Sequence, residues 1–133
     1  MARGDPFRGN VACDESVDAG DPLVLHCCTH FLTRLLGWHA RTLTGTTSPQ
    51  GVYLQPCRAI HTFGMRVRID VVFVDAQLNE LKRVDAMRPH RMAMCWQATA
   101  AIELPAGYCK LYSDYLDRIK LALQCQAVYP QTR

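Results

Sequence analysis

The sequence predicts a mainly β fold: a compact single-domain β-sandwich or partly open barrel with one or two short helices. Three observations carry that expectation. Ile69–Asp75, IDVVFVD, is a continuous β-branched run of the kind that forms a strand buried on both faces. AQLN and then ELKRVDAM follow it, a turn and a loosely alternating partner strand, which reads as a hairpin. The other apolar runs are short and punctuated by Gly, Pro, Ser and Asn, with no internal repeat and no sign of a second domain.

The elements follow in order. Residues 1–20 hold Gly, Asp, Pro and Asn with little apolar content and read as a disordered leader; the single β-rich domain spans 21–128, with a tail at 129–133. Pro22–Cys28 is a first strand. THFLTRLLG then reads as a short helix, with Phe31, Leu32, Leu35 and Leu36 on one face, Thr29 able to cap it and Gly37 able to end it. A rival reading starts one longer helix at Asp21-Pro22. Thr42–Gly51 is a loop by composition, and VYLQP a short strand stopped by Pro56. RPHRMAMCW reads as irregular, and Ala98–Pro105 as a further strand. AGYCKLYSDYL reads as a short helix or turn. RIKLALQCQAV reads as a closing strand, because Ile119, Leu121 and Leu123 alternate with Lys120, Ala122 and Gln124.

Bulk composition excludes some functions. The chain has 133 residues, enough for one real core, and a net charge of +3. Its arginines are scattered along the sequence and its Trp and Tyr residues dispersed, so no nucleic-acid partner is expected. No apolar run approaches the roughly 20 residues of a membrane helix, and MARGDPFRGN has no signal-like apolar centre. The expectation is a cytoplasmic, bacterial protein, not membrane-bound, with reduced thiols. There are seven cysteines and no CxxC. HCCTH, with His26, Cys27, Cys28 and His30, matches no standard zinc spacing, so neither metal nor cofactor is expected.

The candidate site is the segment that leads into the central strand. Arg58, His61, Thr62 and Arg66 cluster before it, and Asp70 stands at its entrance. A His beside a carboxylate suits general-base work, and an Arg suits an anionic group. The competing reading makes Asp70 structural, collecting N–H groups from HTFG, where Gly64 supplies an unusual backbone angle. Glu103 is one acid in an apolar strand, and burial there calls for a cation or several donors. Cys57, four residues before His61, is a weaker nucleophile candidate, and Met87, Met92 and Met94 read as gap-fillers rather than metal ligands.

Three stretches, LLGWHAR, GVYLQPCRAIHTFGMRVRIDVVFVD and ATAAIELPAG, resemble the bacterial and archaeal domain of unknown function 192 family. The resemblance runs from about Leu23 to about Leu123. Its signatures are Pro-Cys-Arg-x-Ile-His-Thr-Phe-Gly-Met, followed by Ile-Asp and a Val/Phe strand, and Glu103–Gly107. It implies a small β-sandwich-like domain with few helices and no established activity. The chain departs from the family in YSDYLDRI, which keeps Asp117 but not the glycine of a Gly-Asp pair, and in lacking the export signal many members carry.

Two functions follow as expectations. The first is a non-enzymatic accessory protein that binds a small anionic ligand or a protein partner through Arg58, His61, Thr62, Arg66, Asp70 and Glu103, its catalytic residues, if any, being unknown. The alternative is a small hydrolase or transferase using His61 with Asp70 or Glu103. The two separate on whether those three side chains line one concavity.

Overall fold

The computed structural model describes residues 21–28 and 48–128. The leader 1–20, the THFLTRLLG helix, most of the Thr42–Gly51 loop and the tail 129–133 lie outside the described residues. Among the described residues the chain is mainly β, with seven strands and two helices. The strands are β1 (Val24–Cys28), β2 (Gln50–Leu54), β3 (Ala59–His61), β4 (Ile69–Val74), β5 (Glu80–Met87), β6 (Met92–Met94) and β7 (Ala100–Pro105). The helices are α1 (Tyr108–Leu111) and α2 (Tyr115–Val128). None of these helices is long and apolar enough to cross a membrane.

Five strands form a mixed sheet in the order β1-β2-β7-β4-β5; β1 and β2 are parallel and the other neighbours antiparallel. β3 and β6 form a separate antiparallel pair. The larger sheet stays open, so the fold is not a closed barrel. β4 sits between β7 and β5 and is buried at every position, as its Val- and Ile-rich sequence predicts.

The core divides by sheet face, because successive strand residues point to opposite sides. Val71, Phe73, Val52, Leu54 and Ala101 pack toward the β3–β6 pair, which contributes Ile60 and Ala93. Val72, Val74, Ile102 and Leu104 pack on the other face, against Leu25, Tyr108, Cys109, Tyr115, Ile119 and Ala122. One face of the sheet thus carries a two-stranded cover and the other carries helices.

The expected closing strand, residues 118–128, is instead all but the first three residues of α2. Tyr115, Ile119 and Ala122 are buried at spacings of four and three, a helical stripe. Leu121, which a strand reading places beside Ile119 and Leu123, is 57% exposed. The start of α2 is tied to β5: Tyr115 donates its hydroxyl to Glu80, and Arg83 Nη1 lies 3.3 Å from the Tyr115 oxygen.

Candidate functional site

Asp70 is fully buried, and its carboxylate accepts three backbone N–H groups beside the Cys109 thiol. Oδ1 takes the amides of Ala86 at 2.7 Å and Gly107 at 3.1 Å, and Oδ2 takes that of Cys109 at 3.0 Å. These donors come from β5 and from the turn into α1, not from HTFG as the sequence suggests. The pairing explains two irregularities. Between Ile69↔Met87 and Val71↔Val84, β5 has two residues where β4 has one, so Asp85 and Ala86 form a bulge opposite Asp70. Ala86 there adopts φ 47°, a left-handed conformation costly for alanine, and its N–H points at the carboxylate. Gly107, at φ 86°, gives the chain the turn that brings its own amide and that of Cys109 to the same group.

The loop before β4 is built around a different residue. Thr62 is fully buried; its hydroxyl donates to the Arg88 carbonyl at 2.7 Å and accepts the Arg91 amide at 2.9 Å. Its backbone N–H reaches the Arg91 carbonyl, and its carbonyl accepts the amides of Met65 and His90. Gly64 takes φ 78°, the unusual angle expected of it. Thr62 thereby fastens the 61–66 turn to the 88–91 turn.

The surface of that assembly is basic and apolar. On β3 and β6, Ile60 and Ala93 face the core while Ala59, His61, Met92 and Met94 face outward. The His61 ring packs on Phe63 at 5.4 Å between centroids, and Phe63 lies 6.5 Å from His90. Phe63 is 54% exposed, Met92 60% and Trp96 71%, a run of large apolar side chains in water. Arg58, Arg66, Arg68, Arg88 and Arg91 are exposed in the same two segments of the chain. The ion pairs among the described residues join Arg83 to Asp85 and Arg118 to Asp114, so these five arginines have no acidic partner there. No Asp or Glu occurs in residues 57–69 or 86–102.

Glu103 lies on the β3–β6 side of the sheet, opposite to its neighbours Ile102 and Leu104, with Val52 and Val71 as strand partners. It is buried, and no cation or hydrogen-bond donor among the described residues reaches it, contrary to the pairing expected of it. Desolvation pushes its carboxyl up to about 7, so it is largely neutral in mildly acidic water.

These positions remove the basis of the enzymatic alternative. Asp70 points to the helix face of the sheet, Glu103 to the opposite face, and His61 away from the sheet on the outside of β3. The three do not line one concavity. Cys57 is a buried core residue whose thiol donates to the Ala59 carbonyl, on the inner side of the chain from His61. One further cluster, which sequence spacing does not reveal, joins Asp70, Asp85 and Cys109, whose ligand atoms lie within 4.8 Å of one another. Asp70 already accepts three N–H groups, and burial, with Asp70 alongside, pushes the Cys109 thiol up to about 12, which holds its proton. That chemistry favours a hydrogen-bonded brace over a cation site.

Of the sequence candidates, Arg58, His61 and Arg66 belong to the exposed face and Thr62 supports it from below; Asp70 and Glu103 lie elsewhere. Phe63, Arg68, Arg88, His90, Arg91, Met92 and Trp96 are exposed beside them in the same two segments, and local spacing marks none of them as a site residue. Their signal in the sequence is the absence of acids from the two segments that the Thr62 hydrogen bonds join.

No family model matches the chain, and no curated protein does. Two solved structures are similar. One is a protein of unknown function from Novosphingobium aromaticivorans DSM 12444, with TM-score 0.54 and 14% identity over 65% of this chain; the chain spans 66% of its length, just under two thirds. The other is described as a "putative transcription regulator" from Sinorhizobium meliloti 1021, with TM-score 0.55 and 14% identity over 65% of this chain and 71% of that one. At this identity the likeness shows a shared fold and nothing of function.

Proposed function

We propose that the chain is a non-enzymatic binding domain, in bacterial cytoplasm, whose partner is a protein segment rich in acidic residues, held on the outer face of β3 and β6 and the two turns beside it. The observation that carries this is the composition of the face: unpaired arginines around exposed Phe63, Met92, Met94 and Trp96, with no carboxylate in either segment. Aromatic residues, Met and Arg are the side chains enriched where proteins meet, and Asp and Glu are depleted there. Arginine binds carboxylates in a two-pronged geometry, and exposed methionines adapt to varied apolar partners. The sequence resemblance to the domain of unknown function 192 family belongs to the same proposal.

Calorimetric titration with an acetylated octapeptide carrying four carboxylates and one Phe tests this. The expected result is saturable binding that weakens at least ten-fold in R66E/R91E and in W96A. Binding that survives both changes, or no binding, overturns the proposal. Inorganic phosphate competing fully at the same site would replace the protein partner with a small anionic ligand.

A further inference from the structure

The same chain carries a segment of charge opposite to that of the proposed face. Asp14, Glu15, Asp18 and Asp21 fall in eight residues, DESVDAGD, with no basic residue among them. They hold a third of the twelve Asp and Glu residues of the chain. The segment leads directly into β1. β1 runs parallel to β2, β2 antiparallel to β7, and β7 antiparallel to β4, so β1 and β4 start at the same end of the sheet. That end is where the arginines stand: Arg66 and Arg68 precede β4, and Arg88 follows β5, whose last residue Met87 pairs with Ile69. β1 and β4 are three strand spacings apart, about 14 Å. The seven residues before Asp21 reach roughly 23 Å when extended. The reach exceeds the gap, and the charges at its two ends are opposite.

We infer that the acidic segment Asp14–Asp21 docks on the arginine-bearing end of the β3–β6 face and competes there with the acidic partner. This rests on the proposed binding function and adds its regulation. A tethered ligand acts at high effective concentration, so weak contacts suffice to hold it, and a partner must displace it. Valine is the one large apolar side chain in DESVDAGD, so the segment engages the arginines while leaving most of the apolar area around Phe63 and Trp96 for a partner with an aromatic residue.

The test uses the full chain and its D14N/E15Q/D18N variant, compared by backbone amide NMR at low salt. Neutralisation is expected to move the amides of residues 62–68 and 88–92 and to leave those of α2 in place. The changes should vanish in 0.5 M salt on the basis of charge screening, where the screening length is about 4 Å, and in an R66E/R88E background, where the segment has nothing to hold. The same variant should bind the acidic octapeptide at least three-fold more tightly than the parent. Unmoved amides at low salt, or changes that persist in the R66E/R88E background, overturn the inference. If the amides stay in place and the octapeptide binds both proteins equally, docking fails and the binding function stands. If the amides move but the octapeptide binds neither protein, the segment docks and the partner reading fails.

Discussion

Asp70 and Glu103 are both buried carboxyls on adjoining strands, and their surroundings give them opposite energetics. Asp70 is surrounded by donors. Replacing it with Ala leaves three amides without an acceptor, at about 1–3 kcal/mol for each group kept from water. Asp70→Ala is therefore expected to lose at least about 2 kcal/mol in a denaturant melt, whereas His61→Ala, on an exposed side chain, should stay within about 0.5 kcal/mol of the parent. A parent-like Asp70→Ala would mean that the bulge and the Gly107 turn hold themselves. Thr62→Val keeps the volume and removes the hydroxyl that joins two turns, so a cost of about 1–3 kcal/mol is expected, with faster amide exchange at Arg91.

Glu103 has no donor among the described residues, and its burial makes a pH prediction. Its carboxyl rises from an ordinary 4.5 to about 7 on folding. Between those values the folded chain binds the proton and the unfolded chain releases it. The contribution favouring the fold is complete below 4.5 and is lost as pH rises through about 7. Stability should thus fall between pH 5 and pH 8 by on the order of 2–3 kcal/mol from this group. Glu103→Gln should flatten that slope and be the more stable protein at pH 8. Equal slopes in urea melts of parent and variant would show that Glu103 finds a partner in solution.

At the scale of the element, α2 shows why part of the fold was hard to read. The alternation Ile119, Leu121, Leu123 is a strand signal, and the stripe Tyr115, Ile119, Ala122 is a helical one; both lie in the same residues. The helix wins because Tyr115 anchors its first turn on β5 through Glu80 and Arg83, a tertiary contact that local periodicity does not contain. Ile119→Ala should cost about 2–4 kcal/mol as a cavity in the core, and Leu121→Ala almost nothing. Equal costs would restore the strand. β4, by contrast, was legible because both of its faces are buried and its sequence says so without help from elsewhere. β6 was hidden in RPHRMAMCW, read as irregular, and β3 in the segment leading into β4, since three-residue strands carry no usable period. The bulge at Asp85–Ala86 was equally hidden, because what sustains it is a carboxylate sixteen residues away.

Across the whole molecule, the candidate face is a product of folding. The arginines are scattered in sequence, which argued against any concentrated charge, yet the Thr62 hydrogen bonds bring residues 58–68 and 88–91 side by side. The loop before the central strand was recognisable as the place to look; its partner turn was not, because nothing local marks Arg88 and Arg91 as neighbours of His61. The same folding sends His61, Asp70 and Glu103 in three different directions, and a catalytic reading that needs them in one concavity loses its basis. What remains is a surface with the composition of an interface, packed on one face of the larger sheet. The most direct measurement is an NMR titration of the 133-residue D14N/E15Q/D18N chain with the acidic octapeptide, following backbone amides and the Trp96 indole. The account predicts that the perturbed signals gather at residues 58–66, 88–96 and the Trp96 ring, and that R66E/R91E abolishes them. Perturbations gathered instead around Asp70, Asp85 and Cys109, or along α2, with the β3–β6 face silent, would contradict it.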